Sequence, residues 1–299
     1  MFLRTLLQNW LHGIAKAKVR EAMVGAAAER LARPTQPPVE GIKPCHVGLV
    51  FALGVESGCF EDLLQGVVTI RSARFRLREG GIAGRRIAIV LSGAGCENAR
   101  LATQTLIDGH RPGLVISAGF AGGLSPQMGR NDILLADRLL DGQSIDLAVA
   151  SSALATGPGV HRGPLLTLDH VVGSPAERRS WWQRHAALAV DMETLGVAQV
   201  CAERQTAFVS VRVINDLATE TLPREVEHLL RQRTAAARLG AALGAVCRRP
   251  GAAKAFYELH ENALVASSRL ARYLAQQIPV LAGREAAPPA MVGARHVLG

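Results

Sequence analysis

Residues 113–123 read GLVISAGFAGG, an apolar run that closes on a cluster of glycines. Continuous rather than alternating hydrophobicity marks a strand buried on both faces, and glycine at its end lets another group approach the backbone closely. Runs of the same character lie to either side: HVGLVFAL (46–53), RRIAIVLSG (85–93), DILLADRLL (132–140) and AFVSVRVIND (207–216). ENARLATQTLID (97–108) and DMETLGVAQVCAER (191–204), which fall between them, have helical composition and periodicity. Strand-like and helical segments in this alternation predict an α/β sandwich, a central mixed sheet with helices on both faces.

The rest of the chain sets bounds. With 299 residues, 48% hydrophobic and 20% charged, it can bury a sizeable core, which excludes a wholly disordered chain or a low-complexity fibre. No stretch reaches the roughly 18 uninterrupted apolar residues of a membrane-spanning helix. The five cysteines form no CxxC pair, so a reducing, cytoplasmic setting is expected rather than a disulfide framework.

The net charge of +9 is unevenly placed, at +4 over residues 1–43, −2 over 44–229 and +7 over 230–299. Leu3, Leu6, Leu7, Trp10, Leu11 and Ile14 recur at helical spacing, and RPTQPPVEGIKP (33–44) reads as a Pro-rich linker. Residues 230–278 read as two helices broken near Arg249-Pro250-Gly251, with AAPPA (286–290) in a loose tail. The expected organisation is an amphipathic helix and linker (1–43), one α/β domain (44–248) and a basic helical extension with its tail (249–299). The basic ends are expected to govern location or assembly, through a neighbouring subunit of a homo-oligomer or the inner membrane face, and not to bind specific nucleic acid.

Candidate chemistry collects where strands end. Gly93-Ala94-Gly95 and Gly119-Phe120-Ala121-Gly122-Gly123 follow strands, yet neither is a GxGxxG fingerprint or a P-loop. Four carboxylates sit at similar places: Glu56 after the first strand, Asp191 and Glu193 at a helix start, and Asp216 closing VSVRVIND. Such groups are costly in apolar surroundings unless they are hydrogen-bonded. Each also has a structural reading, Glu56 as a helix cap, Asp191 as an acid of a first helical turn, Asp216 as a turn cap. The nine histidines lack ligand spacing, so no metal is expected. Trp181 and Trp182 read as packing, and Cys96 shows no partner for a thiol nucleophile.

These segments resemble the purine nucleoside phosphorylase and uridine phosphorylase superfamily over about residues 46–230, most closely its methylthioadenosine/S-adenosylhomocysteine nucleosidase branch. VGLVFALGVE resembles the first strand and acidic loop of the nucleosidases, Gly119-Phe120-Ala121-Gly122-Gly123-Leu124 their Gly-x-Ala-Gly-Gly-Leu signature, Val190-Asp191-Met192-Glu193 their Val-Glu-Met-Glu helix start, and Val211-Arg212-Val213-Ile214-Asn215-Asp216 their Val-Arg-x-x-Ser-Asp strand. The resemblance implies a three-layer nucleoside-phosphorylase fold and cleavage of the N-glycosidic bond of a purine nucleoside. It implies that Asp216 is the acid at the purine N7, that Met192 and Glu193 hold the ribose and that Glu56 acts at the nucleophile. It further places Gly119, Phe120, Val171, Val172, Asp191 and Asn215 around the purine, and Gly93 and Gly95 in the loop facing water or phosphate. No cofactor is implied beyond phosphate as an optional co-substrate.

Four positions depart from the nucleosidase pattern: Val171 stands for a stacking Phe, Asn215 for Ser, Phe120 for a small residue and Asp191 for Glu. The Asp-Met-Glu variant, the compressed segment 141–163 and the basic Ala/Leu/Arg-rich C-terminal part are similar to the hopanoid-associated phosphorylases, which implies as an alternative an adenosyl group carried on a polycyclic lipid. A non-catalytic adenosine-ligand binder is the competing reading from another class.

Overall fold

The computed structural model describes residues 44–71, 74–143, 145–151, 153–222, 252–281 and 290–291. The expected N-terminal amphipathic helix and Pro-rich linker, the first of the two expected C-terminal helices and most of the tail lie outside the described residues.

The elements run β1 (Val47–Phe51), α1 (Gly54–Glu61), β2 (Gln65–Arg71), β3 (Arg76–Ile82), β4 (Arg85–Leu91), α2 (Cys96–His110), β5 (Leu114–Gly123), β6 (Ile133–Leu140), β7 (Asp146–Ala148), β8 (Val160–Thr167), α3 (Pro175–His185), β9 (Ala189–Asp191), α4 (Thr194–Glu203), β10 (Ala207–Asp216), α5 (Ala252–Leu281) and β11 (Ala290–Met291). All five predicted strands are present, joined among the described residues in one mixed sheet of eleven strands. β4, β1, β5 and β10 are mutually parallel neighbours. Beyond β5 the sheet curls: β5 pairs with β9 and β10, β9 with β8, β8 with β6, and β6 with β10, so these five strands close on themselves.

Burial on both faces explains the continuous apolar runs. Val47, Leu49 and Phe51 of β1 pack with Phe60 of α1 and with Ala266, Leu270, Leu274 and Ile278 of α5. Val50 of the same strand faces the opposite way, into a core with Ala99, Ala102 and Leu106 of α2 and Leu195, Ala198 and Cys201 of α4. Two helical layers therefore flank the sheet, as expected.

α5 belongs to one of these layers. The sequence reading set residues from 249 onward apart as an extension, whereas the stripe Ala266, Leu270, Leu274, Ile278 and Leu281, each at most 2% exposed, lies one helical turn apart on the face against the sheet. Tyr273 adds a hydrogen bond from its hydroxyl to the Ala155 carbonyl at 2.7 Å. Val171 and Val172, expected around the purine, lie in a loop: β8 ends at Thr167, Leu168 donates its amide to the Asp191 carbonyl at 2.9 Å, and the chain then turns away. No helix among the described residues is long and apolar enough to cross a membrane.

Candidate active site

The register between β5 and β10 builds the site. In this parallel pair Arg212 lies opposite Gly119, and a bulge between Ile214 and Asp216 brings Asp216 opposite Gly122. A bulge re-aims the residue that follows it. Paired residues project to one face, so Gly119 and Gly122 of the β5 signature each leave room for a charged group of β10. A Cβ on Gly119 would meet Glu56 Oε1 at 2.8 Å as well as the Arg212 guanidinium, and one on Gly122 would stand 2.8 Å from Asp216 Oδ2 and 3.0 Å from Arg178 Nη1.

Glu56, in the first turn of α1, is 4% exposed. Its Oε2 accepts from the amides of Ala52 (2.9 Å) and Leu53 (2.7 Å), and its Oε1 from the amide of Phe120 on β5 (2.8 Å). The carboxylate thus caps its own helix, which the structural reading anticipated, and ties that cap to the signature strand. Burial raises its proton affinity above the usual carboxylate range, opposed by Arg212 and then by the three amides.

Glu193, at the N-terminal boundary of α4, accepts from the Gly95 amide at 2.9 Å. Burial first, and then the charge of Asp191, push its pKa up to about 7, with Arg212 opposing. Gly93 and Gly95 adopt φ of 80° and 100°, a region glycine enters without strain, so they shape the turn that delivers this amide. Asp191 is more thoroughly engaged. Its Oδ1 accepts from Thr167 Oγ1 (2.7 Å), and its Oδ2 from the Thr194 amide (3.0 Å), the Thr194 hydroxyl and Arg212 Nη2 (2.8 Å). Both oxygens of this buried side chain serve the protein, so the structure assigns Asp191 to the support of Arg212 and α4 more directly than to a purine.

Asp216 pairs with a residue that the sequence did not single out. Arg178 of α3, whose side chain is 0% exposed, donates through Nη2 to Asp216 Oδ2 and through Nη1 to the Gly123 carbonyl at 3.1 Å. Burial raises the proton affinity of Asp216, opposed chiefly by Arg178. α3 starts on a Ser174 cap followed by Pro175, and Trp181 and Trp182 pack it onto Leu124, Leu166 and Val190, in keeping with the packing reading.

Glu56, Phe120, Val171, Val172, Met192, Glu193, Asn215 and Asp216 line one cavity of about 380 Å³, together with Asp191 and Arg178. Of the other expected residues, Ala94 rather than Gly93 or Gly95 reaches the cavity, and Gly119 shapes it from behind. Sequence reasoning missed His170, Leu222, and Leu259, His260 and Ala263 of α5, which also line it. Burial and the Asp191 charge raise the Cys96 thiol pKa, which disfavours the thiolate a nucleophile needs. Among the described residues no cluster of three or more His, Cys, Asp or Glu side chains is placed to hold a metal ion.

Known proteins share this fold. A 5′-methylthioadenosine/S-adenosylhomocysteine nucleosidase of Pseudoalteromonas translucida is 26% identical over 212 residues, 62% of this chain and 90% of that protein. The solved nucleosidase of the same name from Streptococcus pneumoniae superposes with a TM-score of 0.62 at 17% identity, covering 79% of this chain and 99% of that one. A futalosine hydrolase mutant of Helicobacter pylori superposes with a TM-score of 0.59, also at 17% identity, over 79% of this chain and 98% of that one. The sequence profile of the Phosphorylase superfamily matches residues 47–150 and 141–248. With the motif residues gathered in one cavity and two thirds of the chain under that profile, the protein belongs to the Phosphorylase superfamily of enzymes.

Proposed function

We propose that the protein hydrolyses the N-glycosidic bond of an adenine nucleoside. The observation that carries this reading is the division of one cavity between an acid matched to a guanidinium, Asp216 with Arg178, and a pair of buried carboxylates, Glu56 and Glu193. Asp216 passes a proton to the purine N7, so the base departs neutral as C1′–N9 breaks. Glu193 accepts from the ribose hydroxyls, and its charge stabilises the cation developing on the sugar. Glu56, its carboxylate aimed by three amides, takes the proton of a water that attacks C1′. The curated relative is a nucleosidase, which favours the same reaction.

Water fits this site better than phosphate. Arg178, the guanidinium that lines the cavity, is already matched to Asp216, and Arg212, set behind the lining, is paired with Asp191. A phosphate dianion near Glu56 would face the Glu193 carboxylate as well. Val55, Leu222, Leu259 and Ala263 give the lining an apolar part beside His170 and His260, and that part suits a nucleoside with an apolar 5′ substituent, of which methylthio and lipid-linked groups are two cases.

The test is release of free base by purified protein from adenosine and from 5′-methylthio and 5′-long-alkyl adenosines, with and without phosphate. Release independent of phosphate, with free sugar as co-product, is expected. A strict phosphate requirement with a sugar 1-phosphate product overturns hydrolysis. No base from any of the nucleosides, despite binding, favours the non-catalytic ligand binder.

A further inference from the structure

We propose that Arg178 is a positioning residue that sets the acidity of Asp216: its guanidinium receives the negative charge left on Asp216 when the carboxyl proton passes to the purine. The inference rests on the reading of Asp216 as the acid in glycosidic cleavage. In that step the proton leaves Asp216 for N7, the C1′–N9 electron pair goes to the base, water adds to C1′ and gives its proton to Glu56, and solvent later reprotonates Asp216.

A buried guanidinium is costly unless it is paired and hydrogen-bonded, and the fold commits several features to this one. Arg178 is fully buried on α3, a short helix whose flanking Glu177 and Arg179 are at least partly exposed. The Gly123 carbonyl fixes one nitrogen of the guanidinium while another meets Asp216. Gly122 keeps the space between them open, since a Cβ there would collide with both partners. The Arg178 Nε is buried without a partner of its own, so Asp216 and the Gly123 carbonyl are what the guanidinium is bonded to.

The other charged groups near Asp216 largely cancel. Arg130, in the turn before β6, is paired with Glu220, in the loop after β10, and the two act on Asp216 in opposite directions. β5 sets Gly122 and Gly123 against it, neither of which carries a charge. The guanidinium of Arg178 is therefore the main counterweight to burial at Asp216.

The test compares wild type, Arg178→Gln and Arg178→Lys as full chains, by the pH profile of base release, by KM and kcat separately, and by the ¹³C titration of the Asp216 carboxyl. Arg178→Gln is expected to move the alkaline limb of kcat and the carboxyl titration upward by about one pH unit or more. It should also lower the plateau kcat roughly ten- to a hundredfold with KM little changed, and Lys should move all three back toward wild type. On an Asp216→Asn background Arg178→Gln should add almost no further loss. A folded Arg178→Gln protein whose carboxyl titrates as in wild type, or whose loss adds fully to that of Asp216→Asn, overturns the proposal and leaves Arg178 a strut for α3. If Arg178→Gln fails to fold, Gly122→Ala, which parts the pair with both side chains kept, carries the same titration. If wild type cleaves no nucleoside, the functional reading falls, and the titration still decides whether Arg178 governs Asp216.

Discussion

The two ends of the cavity hold their acids differently. At the nucleophile end Glu56 and Glu193 are fixed by backbone amides, from Ala52, Leu53 and Phe120 in one case and Gly95 in the other. At the base end Asp216 is fixed by the side chain of a distant helix. Amide donors hold a carboxylate's position whatever the surrounding charge, as befits a group that aims a water or a ribose. A guanidinium adds a full positive charge and so rewards loss of a proton more strongly than the amides do, as befits an acid that must give one up. The geometric end is written into strand ends and turns, and the electrostatic end into a tertiary contact.

If the base end supplies the acid, Asp216→Asn should produce the largest effect on turnover. The amide keeps the shape but has no proton to transfer, so base release should fall by about 10² to 10⁴-fold, with the unfolding midpoint changed far less. Steady-state release and thermal unfolding of one preparation check both halves, and full activity would remove Asp216 from the role.

At the other end Glu56→Gln should cost less in rate and more in fold. The carboxylate accepts at both oxygens, and an amide turned either way sets its NH₂ against at least one backbone N–H. A loss of about 10²-fold in turnover and about 1–3 kcal/mol in stability is expected, read from base release and urea unfolding. A change in rate without a change in stability would mean that the amides are not what holds Glu56.

The same contrast explains what the sequence made legible. β1, β4, β5, β6 and β10 are buried on both faces and so read as continuous apolar runs. β2 and β3 escaped notice because QGVVTIR and RLREGGI carry polar residues along a largely exposed edge, and β9 spans only three residues. Glu56, Glu193 and Asp216 stood out as carboxylates at strand and helix ends. Arg178 did not, because on a polar helix nothing local separates it from Arg179 and Arg184. The nearest signal was Gly122, whose need for an absent side chain is visible only once the β5–β10 register is known. α5 showed its apolar period, but which core that face covers is a tertiary fact.

Gly119→Ala probes the same register at the nucleophile end, with a smaller effect. The added methyl would sit 2.8 Å from Glu56 Oε1 and against the Arg212 guanidinium, neither of which can swing away from its partners. A loss of about 1–3 kcal/mol with a drop in activity is expected. Gly58→Ala in α1, where a Cβ meets nothing within 4 Å, is the matched control and should be neutral or slightly stabilising. Equal behaviour of the two alanines in urea unfolding would show that the β5 glycine is not reserved for Glu56 and Arg212.

The smallest effect expected is one of pH on stability at Glu193. Its pKa is pushed up to about 7 from an ordinary 4.5 by burial and by Asp191. Between these values the folded protein keeps a proton that the unfolded chain has released, so this group's contribution to stability declines as pH rises through the window. The shift bounds the decline at about 3 kcal/mol. Because Asp191, Arg212 and Glu56 share the charge, about 1 kcal/mol is the expected size. Gln keeps an oxygen for the Gly95 amide and has no proton to lose, so Glu193→Gln should match wild type at pH 4 and exceed it by that amount at pH 8. The ionised form is the one that serves the sugar, so wild-type base release should rise through an acid limb near pH 7, and Glu193→Gln should lack that limb. Paired urea titrations at the two pH values measure the difference. A difference equal at both would mean that Glu193 titrates as an ordinary carboxylate and that its burial beside Asp191 does not hold a proton on the nucleophile end.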